Sequence, residues 1–272
     1  MRQRKEVQIV LRTSVVIRLA GVFAAAMTLG SCISPSLTLP CGDYTNSLGM
    51  VFRALESESA DHLLLVCIHE TREQDVAAFR LTGTRKPDRS ATHVSWHDAH
   101  RFCEWLTRKE QVEGRISLRS RYRLPTDHEW SQAAGIAHLE PSGTPEAKSG
   151  QVANQWSWGS SWPPPANAAN CLGSEGARLV GSSPIPSFRD SDAGIARAWD
   201  YYDPKTGYCS LTGNVWEWCE DEFRPGTDWR VLRGGSWKNN RPESLLLSHR
   251  THDPSTYKSD TVGFRVVLER CR

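Results

Sequence analysis

The chain predicts a loop-rich α/β domain, and three observations carry that reading. Three helix starts are written into the sequence, strand-like apolar runs are few and short, and beyond residue 140 the composition turns to Gly, Pro, Ser and Asn.

Each helix start has a stated chemistry. Thr71-Arg72-Glu73-Gln74 precedes Val76, Ala77 and Phe79, and Thr126-Asp127-His128-Glu129 precedes Trp130, Ala133 and Ala134. Both read as capping boxes, in which a hydroxyl and a carboxylate or amide three residues on satisfy each other's backbone N–H. Ser95-Trp96-His97-Asp98 has Asp at the second position of the box and leads into Ala99, Phe102, Cys103 and Leu106, a one-faced helical stripe. The strands expected are His62–Cys67 (HLLLVC), Trp229–Arg233 and Gly263–Leu268 (GFRVVL). Ser160–Asn170 (SSWPPPANAAN) is too short for an interdomain linker and reads as a loop.

The first 31 residues stand apart. Arg2, Arg4, Lys5, Arg12 and Arg18 precede the apolar run Leu19–Leu29, which is shorter than the roughly 20 residues a membrane-spanning helix needs. The run ends in Leu29-Gly30-Ser31-Cys32, which resembles a bacterial lipobox. Residues 1–31 are therefore expected to be a lipoprotein signal peptide, Cys32 the acylated residue, 32–43 a lipidated tether and 44–272 the domain. The partner this implies is a lipid bilayer, with the protein on the outer face of a bacterial inner or outer membrane. Two acyl chains suffice for stable anchoring where one does not. The signal segment carries five of the 33 Lys+Arg and one of the 31 Asp+Glu, which leaves 28 against 30 and a net charge of −2. No basic stripe points to nucleic acid.

Eight cysteines occur, at 32, 41, 67, 103, 171, 209, 219 and 271, and none forms a CxxC zinc motif. A bridge between Cys41 and Cys271 would join the chain ends, while Cys103 and Cys219 sit in apolar patterns and read as buried thiols.

Six motifs follow one another in order. They are Asn46–Met50 (NSLGM), His93–Ala99 (HVSWHDA), Tyr122–Trp130 (YRLPTDHEW), Gly213–Trp218 (GNVWEW), Arg233–Trp237 (RGGSW) and Gly263–Arg265 (GFR). Together they resemble the formylglycine-generating enzyme, or sulfatase-modifying factor, family. The resemblance spans about residues 44 to 268 and implies a loop-rich variant of the C-type lectin fold.

That family oxidises a sulfatase cysteine with copper held by two cysteines shortly after the RGGS motif. The matching positions here are near Asn239 and Ser244, and no cysteine lies between Cys219 and Cys271. Amide and hydroxyl do not replace thiolate for Cu(I). The expectation is a domain without copper and without catalytic residues. The resemblance also implies structural calcium, bound by Ser210, Gly213, Val215 and Glu217, with a second site at Asn170 and the Cys171 backbone whose acidic partner has no clear counterpart. The other reading of Glu217 is a buried carboxylate hydrogen-bonded to backbone amides.

The polar stretch from Trp237 to Val262 is where some lectin-fold relatives carry ligand-binding residues, in a subset of them diversified by a retroelement. By that analogy the binding face is Lys238, Asn240, Arg241, Glu243, His249, Arg250, His252, Tyr257 and Lys258, for an unidentified protein or glycan of the envelope or exterior. The other reading is an ordinary polar loop. Two further readings stay open: a metal-dependent enzyme using His249, His252 and Asp253, and a structural envelope lipoprotein. His93, His97 and His100 read as surface or cap residues. Trp96, Trp130, Trp216, Trp218 and Trp237 read as core; Trp156, Trp158, Trp162 and Trp199 lie in loops, as core or as stacking platforms.

Overall fold

The computed structural model describes residues 44–55 and 62–271. The signal segment, Cys32 and Cys41 lie outside the described residues, so the lipidation and the Cys41–Cys271 bridge are not addressed by it. In chain order the strands are β1 (Tyr44–Thr45), β2 (Val51–Ala54), β3 (His62–Cys67), β4 (Arg121–Arg123), β5 (Tyr202–Asp203), β6 (Tyr208–Cys209), β7 (Trp216–Glu222), β8 (Trp229–Arg233), β9 (Arg250–Pro254), β10 (Val262–Phe264) and β11 (Val267–Cys271). The α-helices are α1 (Glu73–Arg80), α2 (Trp96–Val112), α3 (Asp127–Ala133), α4 (Pro145–Lys148) and α5 (Ser174–Val180).

An antiparallel sheet has the order β1-β2-β3-β11-β4, so the last strand of the chain inserts beside β3 near its beginning. The continuous apolar run of β3 has a physical reason. Leu65 and Cys67 face a core shared with Phe102 and Leu106 of α2, while Val66 and the following Ile68 face a second core with Trp130 and Val267. A strand covered on both faces needs no polar alternation. A second sheet, β10-β7-β8-β9, carries the Gly213–Trp218 and Arg233–Trp237 motifs at its strand ends, and β5 and β6 form a separate hairpin.

Two of the three helix starts form as read. Asp98 N–H bonds the Ser95 hydroxyl at 3.1 Å, and Glu129 N–H bonds that of Thr126 at 3.2 Å. The first start is displaced by one residue: Arg72, not Thr71, is the N-cap, and the Asp75 carboxylate accepts from both its backbone N–H and its guanidinium. Thr71 is taken by long-range pairing, its N–H bonding Phe264 O and its carbonyl accepting from Ala91. The expected strand Gly263–Leu268 is broken in two, because Arg265 turns out of the ladder into the interior. Beneath the loops after residue 140 lies a third small core of Trp156, Cys171, Ile185, Phe188, Leu245 and Leu246, with Trp158 and Trp162 packed on it half-buried.

Candidate functional site

The RGGSW turn leaves β8 through Arg233, which is wholly buried. Its guanidinium pairs with Asp127, donates to Ser131 Oγ and Leu247 O, and lies 4.3 Å from the centre of the Trp130 ring. Arg250 joins the same cluster, reaching Asp127 at 2.9 Å and Glu140 at 2.5 Å. Two guanidinium groups and two carboxylates thus neutralise one another inside the protein. Burial alone would raise the Asp127 carboxyl, but Arg233 and Arg250 outweigh it and hold it below its ordinary value.

Beyond Arg233 the turn closes tightly. Gly235 has φ +83, and a Cβ there would stand 2.8 Å from Leu245 Cδ2. Asn239, at a position where the family's copper thiolate is expected, uses its side-chain oxygen locally. It accepts from Ser236 N–H at 2.8 Å and Ser236 Oγ at 2.9 Å, and its carbonyl accepts from Leu172 N–H at 2.9 Å. The side-chain oxygen is thus spent in an amide clasp. Ser244 is half-buried in the 3-10 turn Glu243–Leu245.

The two calcium expectations separate on geometry. Both oxygens of Glu217 are engaged, Oε1 by Arg265 Nη2 at 2.7 Å and Oε2 by Arg265 Nε and Trp130 Nε1 at 2.9 Å each. A guanidinium already neutralises this carboxylate, and Ser210 Oγ donates to Asp200 O at 3.2 Å, so Glu217 and Ser210 do not fit a hard cation. Val215 and Gly213 serve the same interior. Val215 N–H bonds Glu70, and Gly213 (φ +85) lets its backbone pass so close to Asn170 O that a Cβ would stand 2.1 Å away.

Asn170 differs. Its amide nitrogen donates to Gly194 O and Asn214 Oδ1, yet its Oδ1 is buried with no donor. Asp190 is 1% exposed, and its Oδ1 is likewise buried without a partner. Burial first, and the nearby Asp192 charge second, push the Asp190 carboxyl up to about 7. Each orphaned oxygen is an uncompensated cost that an oxygen-seeking cation would offset, and an amide and a carboxylate oxygen are donors of the kind calcium takes. Asp190 was not singled out from the sequence, where the signal was the pair of aspartates in Asp190-Ser191-Asp192.

The nine expected ligand residues differ in burial and in partners. Arg250 is 2% exposed and belongs to the buried charge cluster, which overturns its place in a binding surface. Lys238 pairs with Asp260, Asn240 donates to Ser183 O at 3.0 Å, and Arg241 and Glu243 are exposed on either side of Pro242. Lys258 reaches Asp98 at the start of α2 at 2.5 Å, beside exposed Tyr257. His252 stacks on Phe223 at 4.2 Å and Trp229 at 4.4 Å, while His249 is half-buried near Trp216. Among the described residues no group of three or more His, Cys, Asp or Glu is placed to hold a metal, so His249, His252 and Asp253 are not gathered into a centre. His97 bonds Ser255 Oγ at 2.9 Å and His100 pairs with Glu220, both at the surface of α2.

The chemistry of the remaining thiols is quiet. Cys67, Cys103, Cys171, Cys209 and Cys219 are free and buried, and burial pushes the thiols of Cys67 and Cys209 up to about 12.

Residues 44–270 match the family model described as a sulfatase-modifying factor enzyme 1-like domain. The chain is similar to "inactive C-alpha-formylglycine-generating enzyme 2" of Mus musculus, 30% identical over 183 residues that cover 64% of this chain and 47% of that protein. It is also similar to "formylglycine-generating enzyme" of Streptomyces coelicolor, 27% identical across 71% of this chain and 56% of that one. The chain spans about half the length of these curated relatives. "Chaperone protein LppX" of Paenibacillus barcinonensis is matched nearly end to end, at 20% identity over 92% of this chain and 97% of that protein. With the match running through every motif from Asn46 to Arg265, the chain belongs to the sulfatase-modifying factor enzyme 1-like family.

Proposed function

We propose that this chain is a membrane-anchored recognition module that uses the formylglycine-generating-enzyme scaffold without its oxidase chemistry. The observation that carries the reading is Asn239, whose side-chain oxygen is consumed by Ser236 where a copper thiolate is required. Cys32 anchors the protein, and Asn170 with Asp190 holds a structural calcium ion that rigidifies the loops leading to Gly213. The ligand face is narrower than the sequence suggested. Lys238, Asn240, Arg241 and Glu243 form it. Trp156 Nε1 donates to Pro242 O at 3.1 Å, so this loop rests on the tryptophan cluster. The end-to-end match to a chaperone supports a protein as the ligand.

The deciding assay incubates the full chain with copper and a sulfatase-motif peptide and reads cysteine-to-formylglycine conversion by mass spectrometry. No conversion is expected; turnover would overturn the reading. Replacing Lys238, Asn240, Arg241 and Glu243 together by Ser leaves Leu245–Arg250 intact and is expected to abolish capture of envelope proteins. Cys32→Ser is expected to move the protein from the membrane to the soluble fraction.

A further inference from the structure

A cleft of about 750 Å³ lies away from the Asn239 loop, between β2, α3 and the β5–β6 hairpin. Arg53, His128, His138 and Lys205 line it, with Gln132 and Thr206 between them. No carboxylate lines it among the described residues. The nearest one in the hairpin, Asp203, is spent within its own turn, accepting from Lys205 N–H and Thr206 Oγ1 at 2.9 Å each. Among the described residues none of the four basic side chains has an ion-pair or hydrogen-bond partner. That is unusual in a domain where Arg72, Arg123, Arg233, Arg250 and Arg265 are all paired with carboxylates.

Arg53 also packs closely on the hairpin. Its guanidinium lies over Gly207, where a Cβ would stand 2.0 Å from Nη1, so the glycine makes room for the charge. Leu55 and Ala133 give the cleft an apolar wall beside these donors. A fork-shaped cation, a second point charge, neutral amide, hydroxyl and imidazole groups and an apolar wall together match one chemistry. It is a ring with hydroxyls on its edge, C–H groups on its face and an oxyanion attached.

We propose that this cleft binds an acidic sugar, a glycan unit carrying sulfate or carboxylate, as a ligand site separate from the Lys238–Glu243 face. Arg53 takes the oxyanion in bidentate fashion, Lys205 adds the second charge, and Gln132 and Thr206 meet ring hydroxyls.

The test is calorimetry on the full chain in detergent, using a heparin-derived sulfated tetrasaccharide, a galacturonate tetrasaccharide, neutral maltotetraose and inorganic sulfate at matched ionic strength. At least one acidic sugar is expected to bind ten-fold or more tighter than maltotetraose and inorganic sulfate, and which one binds identifies the oxyanion. Arg53→Gln with Lys205→Gln is expected to lose at least ten-fold, and Gly207→Ala to weaken binding by displacing Arg53. The exposed Arg178→Gln is the control expected to change nothing. Lys205→Gln alone, at an exposed residue, keeps the test open if the double variant fails to fold. Equal binding of maltotetraose or of inorganic sulfate, or binding unaffected by the cleft variants, would overturn the proposal. Binding that survives serine substitution at Lys238, Asn240, Arg241 and Glu243 separates this site from that face.

Discussion

Glu70 shows how one buried side chain sets a pH response. It is wholly buried, contacts Asn214 Nδ2 and accepts from Ser90 Oγ at 2.6 Å and Val215 N–H at 3.3 Å. Burial, then the neighbouring Glu217 charge, push its carboxyl up to about 8. The folded state therefore keeps a proton that an unfolded chain releases near pH 4.3. The stability this contributes is complete below that pH and is lost as pH rises through about 8, with a slope of up to about 1.4 kcal/mol per pH unit. Thermal melts from pH 5 to 9 are expected to show a falling Tm for the native chain and a flatter profile for Glu70→Gln. At Asn239 the stake is the clasp itself. Asn239→Ala removes both bonds from Ser236 and is expected to cost about 1–3 kcal/mol in urea unfolding.

At the scale of elements, the segment 238–261 reads as polar throughout, yet it splits into surface and scaffold. Leu245, Leu246, Leu247, Ser248 and Arg250 point inward and tie β9 to α3, whereas Arg241, Glu243, Tyr257 and Lys258 remain outside. Removing one member of a buried charge cluster strands the others, so Arg250→Ala is expected to cost about 3–5 kcal/mol. Lys258→Ala breaks a pair whose lysine is exposed and should cost no more than about 1 kcal/mol. Chemical denaturation of the two variants side by side checks the contrast. Because the Asp127 carboxyl is held down by Arg233 and Arg250, its contribution is present above its ordinary titration range and lost as pH falls below about 4. The split of GFRVVL into β10 and β11 belongs to the same scale: Arg265 leaves the ladder to meet Glu217, and the strands on either side join different sheets.

For the whole molecule, the calcium proposal predicts a linkage. Adding a chelator is expected to lower the Tm of the native chain, and the response should vanish in Asp190→Asn, which weakens the ligand set. It should persist in Ser210→Ala, whose hydroxyl is spent on Asp200 O. Differential scanning calorimetry with and without chelator reads both.

The sequence by itself determined what local chemistry decides: the helix starts at Ser95 and Thr126, the strand His62–Cys67, the order of the six motifs and the lack of cysteine near Asn239 and Ser244. Caps, periodicity and ligand softness act over a few residues and can be read in line. Only the tertiary structure decided the rest. Arg250 and Lys258 look alike in the chain, but Arg250 meets Asp127 across 123 residues and is enclosed, while Lys258 stays at the surface. Glu217 is answered by Arg265, Asp190 is buried with an oxygen left over, and Arg53 and Lys205 face a cleft with no partner among the described residues. Burial and charge neutralisation depend on which distant groups the fold brings together, and no short stretch of sequence contains that information.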